Sequence, residues 1–407
     1  MTNILYTTPI LENPPAGGPQ LRVENTIKAL NDVSNLYILS RASPKEVGGD
    51  KSVKIYEQMC NRLEFTETAR KRDEPGMHTG SLSRIARRLT QVDTKKDARR
   101  IVDIVRQNKI DVVWFGFGNI SYPLIRRVKK LDPTIRVICD TDSVWSRFIL
   151  RELPFARNLV RKLLILLGGW KKKREERMWV NLCDITTAVS TVDEEYYRSI
   201  GGLKAKIKIF SNVIDVETYQ DKWDRPPDLV NPSIYLAGTF GRYDSPMDSA
   251  ARWLINEIFP LVKKEVPDLK LFIIGRGSES IVPFVNDQSI IVKGKVPSVL
   301  PYLQNTDIAL VPLMYESGTR FKILEAGACY IPIVSTTLGA EGIPVQNGKD
   351  IVLADNAREF SEGIIKLLKD KDGAITMARN CFNLVNKKFS INQLKREAEK
   401  ILKELGV

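Results

Sequence analysis

Glu316-Ser-Gly-Thr-Arg320-Phe-Lys-Ile-Leu-Glu325-Ala-Gly-Ala-Cys-Tyr330-Ile-Pro-Ile-Val-Ser335 is the most informative stretch of this 407-residue chain. It follows an apolar strand, Asp307 to Pro312, turns at a glycine, enters a helix expected over Thr319 to Cys329, and ends in a strand, Ile331 to Ser335. Backbone N–H groups at that helix start, Gly318 to Arg320, favour an anion. Arg320 and Lys322 add charge suited to a diphosphate, and Glu325 lies where a carboxylate can accept both hydrogens of a ribose diol. The same three side chains also fit surface ion pairs along a helix.

Outward from this stretch, strand-like and helix-like segments alternate almost throughout, the pattern of parallel sheets wrapped by helices. Strands are expected at Asn3 to Thr8, Leu36 to Ser40, Asp111 to Phe115, Arg136 to Cys139, Asp184 to Val189 and Lys206 to Phe210. Past a polar, proline-rich join, Asp221 to Pro232, the alternation restarts with a strand at Ser233 to Ala237 and a helix at Asp248 to Lys264. Pro44 to Gly80 shows no convincing period. The division expected is residues 1–220, 221–385 and a C-terminal helix, 386–407, returning toward the first domain. In open α/β sheets ligands bind at the carboxyl ends of strands.

Composition is that of an ordinary globular chain, 43% hydrophobic and 27% charged. The first residues read as a strand rather than a leader, and no apolar run approaches the roughly 20 residues of a membrane-spanning helix. The five cysteines are scattered and read as reduced core residues of a cytoplasmic protein. The net charge of +13 implies attraction to something anionic, or a solvated basic surface.

Here the sequence resembles a family. Arg320 to Ser335 is similar to the nucleotide-sugar signature of retaining Leloir glycosyltransferases of the GT-B fold, specifically family 4. Ala237 to Leu254, Leu271 to Gly277, Val292 to Val296 with Pro301 to Leu303 and Asp307 to Pro312, Gly339 to Ile343 and Asp350 to Asp355 resemble its other segments in the same order. In the N-terminal half, Pro14 to Gly18 with Arg22, Asp140 to Ser146, Asp184 to Ser190 and Asn212 are similar too. The resemblance implies an α/β fold of two facing Rossmann-like domains with a cleft between them. It implies transfer of a sugar from a UDP or GDP donor, with retention, to a glycan or lipid-linked acceptor in surface polysaccharide synthesis. By the same carry-over Glu325 holds the ribose, and Arg320, Lys322 and Arg242 the diphosphate, beside Ser317, Gly318 and Thr319. Gly17 and Gly18 let the backbone approach the sugar. No cofactor and no metal are implied, the nucleotide sugar being a substrate.

Two departures from the family pattern stand out. The position eight before Glu325, commonly a second glutamate, is Ser317, with Glu316 displaced by one. The histidine that often follows the aspartate of the fourth N-terminal strand is missing from Asp140-Thr-Asp142-Ser143; the single histidine, His78, reads as a surface loop residue. Asp142 serves either near the acceptor, as a catalytic group, or as a capping residue before a turn.

A long basic helix is expected over Arg157 to Asn181, interrupted or bent at Gly168-Gly169. Its leucines beside Trp170-Lys-Lys-Lys-Arg fit a helix in an anionic membrane interface through 157–177, at the inner face, or equally a core helix with a solvated basic end. Nucleic-acid binding finds no support, since the aromatics are not interleaved with the basic runs. A dinucleotide oxidoreductase is disfavoured because Gly116-Phe-Gly118 and Gly275-Arg-Gly277 lack the third glycine and a following helix. A catalytically silent relative or a nucleotide-sugar epimerase are the nearest rivals.

Overall fold

The computed structural model describes residues 1–407 apart from 16, 72–93, 157, 203–204 and 242–244. The chain forms two compact units: residues 1–146, 167–213 and 391–407 in the first, and 147–166 and 214–390 in the second.

The first unit holds a seven-stranded parallel sheet in the order β3-β2-β1-β4-β5-β6-β7. Its strands are β1 (Asn3–Thr8), β2 (Asn35–Ser40), β3 (Arg62–Phe65), β4 (Val112–Phe115), β5 (Arg136–Cys139), β6 (Ile185–Ala188) and β7 (Ile207–Ile209). The interior strands β4 and β6 are buried along their whole length, as expected of a sheet covered on both faces. The C-terminal helix Ile391–Leu405 belongs to this unit, burying Leu394, Ala398, Ile401 and Leu402 in one core with Val23, Ile27 and Leu30 of helix Gly18–Val33. Among its described residues, the region without a legible period contains three short helices, Pro44–Val47, Asp50–Glu57 and Glu67–Lys71, and the edge strand β3. Its short elements explain the missing signal, because helices of four to eight residues span little more than one or two turns and display too little of a helical repeat. His78 lies outside the described residues.

The second unit holds a six-stranded parallel sheet in the order β10-β9-β8-β11-β12-β13. Its strands are β8 (Ser233–Ala237), β9 (Lys270–Ile274), β10 (Ile290–Gly294), β11 (Ile308–Val311), β12 (Ile333–Ser335) and β13 (Val352–Leu353). In both sheets the strand order reverses beside the first strand, between β1 and β4 and between β8 and β11. These are the topological switch points at which open α/β sheets take ligands.

Three local expectations change. The helix after β8 runs Pro246–Trp253, passes through a π-helical turn, Leu254–Ile258, and resumes at Phe259–Glu265. Pro260 supplies the reason: it has no N–H to donate and its ring crowds the preceding turn, which the wider π turn relieves. The basic helix Leu159–Leu182 continues unbroken through Gly168 and Gly169. Two glycines cost about 1 kcal/mol each against alanine, too little to break a long helix held by buried Ile165, Glu176 and Trp179. Three of the five free cysteines are buried, while Cys60 and Cys329 are only partly so.

Candidate donor site at the second switch point

The loop leaving β11 turns at Gly318, whose φ of 84° lies in the left-handed region that glycine alone enters without cost. Arg320 occupies the N-cap position and the helix runs Phe321–Ala328, two residues later than the sequence indicated. The N–H groups that precede the first helical hydrogen bonds are therefore those of Phe321 and Lys322. One face of this helix is anchored by Ile323, Leu324 and Ala328. Gly327 is needed there, since a Cβ would stand 2.8 Å from Val385 and 2.9 Å from the Cys381 sulfur. The other face carries Lys322 and Glu325, three residues apart and therefore neighbours on the helix surface.

Glu325 is half-buried and accepts a hydrogen bond of 3.1 Å from the Tyr219 hydroxyl. Burial raises its carboxyl above the usual range, against the charge of Lys322 and the Tyr219 hydrogen bond. Burial likewise lowers the Lys322 ammonium, against the pull of Glu325 and Glu316. Arg320 is buried, and its guanidinium donates to the Leu338 carbonyl at 3.4 Å. Solvated surface ion pairs, the plainer of the two readings of these residues, do not describe this arrangement. A cation, a carboxylate and a helix N-terminus share one partly desolvated face, where charge acts more strongly than in water.

Ser317 and Thr319 are buried in the same loop. The displaced Glu316 turns back on its own loop, its carboxylate accepting from the Ser317 N–H at 3.3 Å. The Glu316 carbonyl accepts from Arg151 at 2.7 Å. Arg151 also meets the Glu341 carboxylate in two hydrogen bonds, 2.8 and 2.6 Å, and Arg147 adds a third at 3.0 Å. Burial works to raise the Glu341 carboxyl, but the Arg151 hydrogen bond and the Arg147 charge prevail and hold it low. Phe155 stacks on Tyr315 at 4.8 Å. The loop after β11 is thus braced by segment 147–166 of its own unit. Sequence reasoning missed Tyr219, Arg147, Arg151 and Glu341 as supports. The four-residue spacing of Arg147 and Arg151, two cations on one helix face, was the available signal; nothing marked Tyr219.

Gly275 and Gly277 take φ values of 135° and 79°, and a Cβ on them would strike the carbonyls of Gly238 and Phe240 at 1.9 and 2.6 Å. They pack the loop after β9 against the loop after β8. Arg242, in the latter loop, lies outside the described residues.

At the switch point of the first sheet the charged side chains pair with one another. Arg22, buried, meets Asp140 at 2.5 Å and Asn212 at 2.6 Å, and Asp140 accepts from Thr187 at 2.7 Å. Arg22, Asp140 and Asn212, far apart in sequence, are brought together here. Asp142 is half-buried and accepts from the Asn119 amide at 2.5 Å; burial raises its carboxyl. Gly17 precedes helix Gly18–Val33 in extended conformation, and a Cβ there would meet nothing closer than Gln20 Oε1 at 3.6 Å. A helix does follow Gly116-Phe-Gly118, starting at Gly118 itself, contrary to the sequence reading. Its glycines serve packing, with a Cβ on Gly116 falling 2.2 Å from the Tyr6 hydroxyl and one on Gly118 falling 2.4 Å from the Cys139 sulfur.

The family model for glycosyl transferases group 1 matches residues 235–370. A Klebsiella pneumoniae protein described as an uncharacterized 44.6 kDa protein in the cps region is 26% identical over 146 residues. That match takes in 34% of this chain and 38% of the Klebsiella protein, less than two thirds of its length. Among solved structures, sucrose-phosphate synthase from Thermosynechococcus elongatus superposes with a TM-score of 0.71 at 13% identity, covering 100% of this chain and 99% of the other. Anabaena Alr3699/HepE, solved with UDP-glucose, gives 0.65 at 13% identity, covering 99% and 100%. At such identities the superpositions speak to the fold. Residues 235–370, within the second unit, thus match the group 1 glycosyl transferases, and the chain as a whole is built as two Rossmann-like α/β domains of the GT-B kind.

Proposed function

We propose that the protein is a retaining, metal-independent glycosyltransferase that takes a sugar from a UDP or GDP donor. The observation that carries this reading is the shared face of Lys322 and Glu325 behind the Gly318 turn, with Arg320 at the helix N-cap. Glu325 accepts from the ribose hydroxyls, and its raised carboxyl is held ready by Tyr219. Arg320, Lys322, Arg242 and the loop residues Ser317, Gly318 and Thr319 receive the diphosphate. As the glycosidic bond breaks, negative charge builds on the leaving phosphate, and cations with helix N–H dipoles placed there stabilise the transition state more than the ground state. These side chains can supply positive charge that a divalent ion supplies elsewhere. Gly17 and Gly18 are assigned to the sugar and Asp142 to the acceptor. The Anabaena relative's UDP-glucose supports a nucleotide-sugar donor.

The acceptor we assign is a glycan, free or lipid-linked, in surface polysaccharide synthesis on the cytoplasmic side. The Klebsiella protein's cps setting supports it. A silent relative remains the second reading, favoured by Ser317 where a glutamate is common.

Saturation-transfer NMR against UDP-, GDP- and CMP-sugars tests the donor. Saturation of one nucleotide's ribose and base protons, lost in Glu325→Ala, is the expected result. No binding by any donor to the folded protein would sink the reading, and binding without turnover on an acceptor panel would favour the silent relative.

A further inference from the structure

Helix Leu159–Leu182 has its polarity reversed in its first half. A helix lying on a protein core turns apolar residues inward and polar ones to water. Here the inward face is settled by buried Ile165, Glu176 and Trp179, and by Lys172, which donates to the Asn119 carbonyl at 2.9 Å. The outward face carries Leu159, Val160, Leu163, Leu164, Leu167 and Trp170, each between 57% and 82% exposed. Single exposed leucines are ordinary; a continuous stripe of this size marks an interaction surface.

The stripe continues along the same side of the helix, at steps of three and four residues, from Val160, Leu163, Leu164 and Leu167 into Lys171 and Arg174. Trp170 stands at the change from apolar to basic. Leu159 to Trp170 spans about 18 Å at 1.5 Å per residue, well short of the roughly 30 Å hydrocarbon core of a bilayer. Among the described residues no helix is long and apolar enough to cross a membrane. An apolar groove of about 500 Å³ opens beside the stripe, lined by Leu153, Pro154, Leu159, Leu163 and Leu166 with Lys162 at its edge.

We infer that this face docks on an anionic bilayer, with the leucines and Trp170 in the acyl–headgroup boundary and Lys162, Lys171, Arg174 and Arg177 against lipid phosphates. Charge decides between occupants. The helix carries seven basic and two acidic residues, so packing against a second copy would bring like charges together or set them against leucines. An anionic lipid surface satisfies both halves at once, a tryptophan at the boundary included. The surface stands on its own geometry, and from the proposed function it takes only the lipid-linked acceptor.

The test is sedimentation of the full chain, without nucleotide, on vesicles of phosphatidylglycerol with phosphatidylcholine and on phosphatidylcholine alone. Binding to the anionic vesicles is expected, weakening with added salt and cut about 30-fold in Lys171→Gln/Arg174→Gln. Leu163→Gln/Leu167→Gln should abolish it while melting as the parent does, since both side chains already face water; Trp170 emission should shift to the blue, judged against Trp170→Phe. Absence of binding to the anionic vesicles, binding that ignores the leucine changes, or a dimer that those changes dissociate would each overturn the inference. Donor binding is read separately by NMR, so failure here leaves the transferase reading standing.

Discussion

The two sheets share one topology and end differently at their switch points. In the first, Arg22 is spent on Asp140 and Asn212, and Tyr6 and Phe117 are buried in one core beside them. In the second, the loop after β11 keeps a lysine and a glutamate half-buried on one helix face behind a glycine turn. Topology therefore nominates both ends as sites, and what separates them is that the buried arginine of the first is ion-paired within its own end. A buried ion pair closed on its neighbours is architecture; in the function proposed here, the partly desolvated charge behind the glycine turn is the ligand's.

Substitutions can break this comparison. Arg22→Ala should give the largest effect, leaving Asp140 charged and buried and costing about 3–5 kcal/mol of stability in denaturant unfolding. The folded fraction should keep its nucleotide affinity; a protein of parental stability with a lost ligand would reverse the roles of the two ends. Arg320→Ala should lower turnover about 10²–10³-fold, as expected for a donor aimed at developing charge, measured as initial rate at saturating donor. Glu325→Ala should weaken nucleotide binding by roughly 10-fold to 100-fold, the range of hydrogen bonds to a charged group, in a calorimetric titration.

A smaller effect sharpens the comparison further. Tyr219→Phe removes one hydrogen bond to Glu325 and should weaken nucleotide binding about fivefold. The Glu325 carboxyl lies above the ordinary glutamate range, so it takes up its proton at a higher pH than an exposed glutamate as pH falls. Nucleotide affinity should decline on acidification from a point above the usual carboxylate value of 4.5, and Glu325→Gln should remove that decline. A decline that persists unchanged in Glu325→Gln would assign it to another group.

Much of the fold was legible because a buried parallel strand writes an apolar run and its covering helix a 3.6-residue repeat. Asn3–Thr8, Arg136–Cys139 and Ser233–Ala237 match the residues read from sequence. Pro44 to Gly80 failed because its helices are too short to repeat and β3 is an edge strand with half-buried residues. At the site, Arg320, Lys322 and Glu325 were legible through one contiguous helix start. Tyr219 and Glu341 were not, because their partners lie 106 and 190 residues away in the chain and no local pattern records such a contact.

The central claim is that the nucleotide is held at the second switch point and not at the first. Hydrogen exchange read by mass spectrometry, with and without the nucleotide identified by NMR, tests this most directly. Protection over 312–328 and the loops after β8 and β9, absent in Glu325→Ala, is the predicted result. Protection confined to peptides around Arg22 and Asp140, or unchanged in Glu325→Ala, would contradict it.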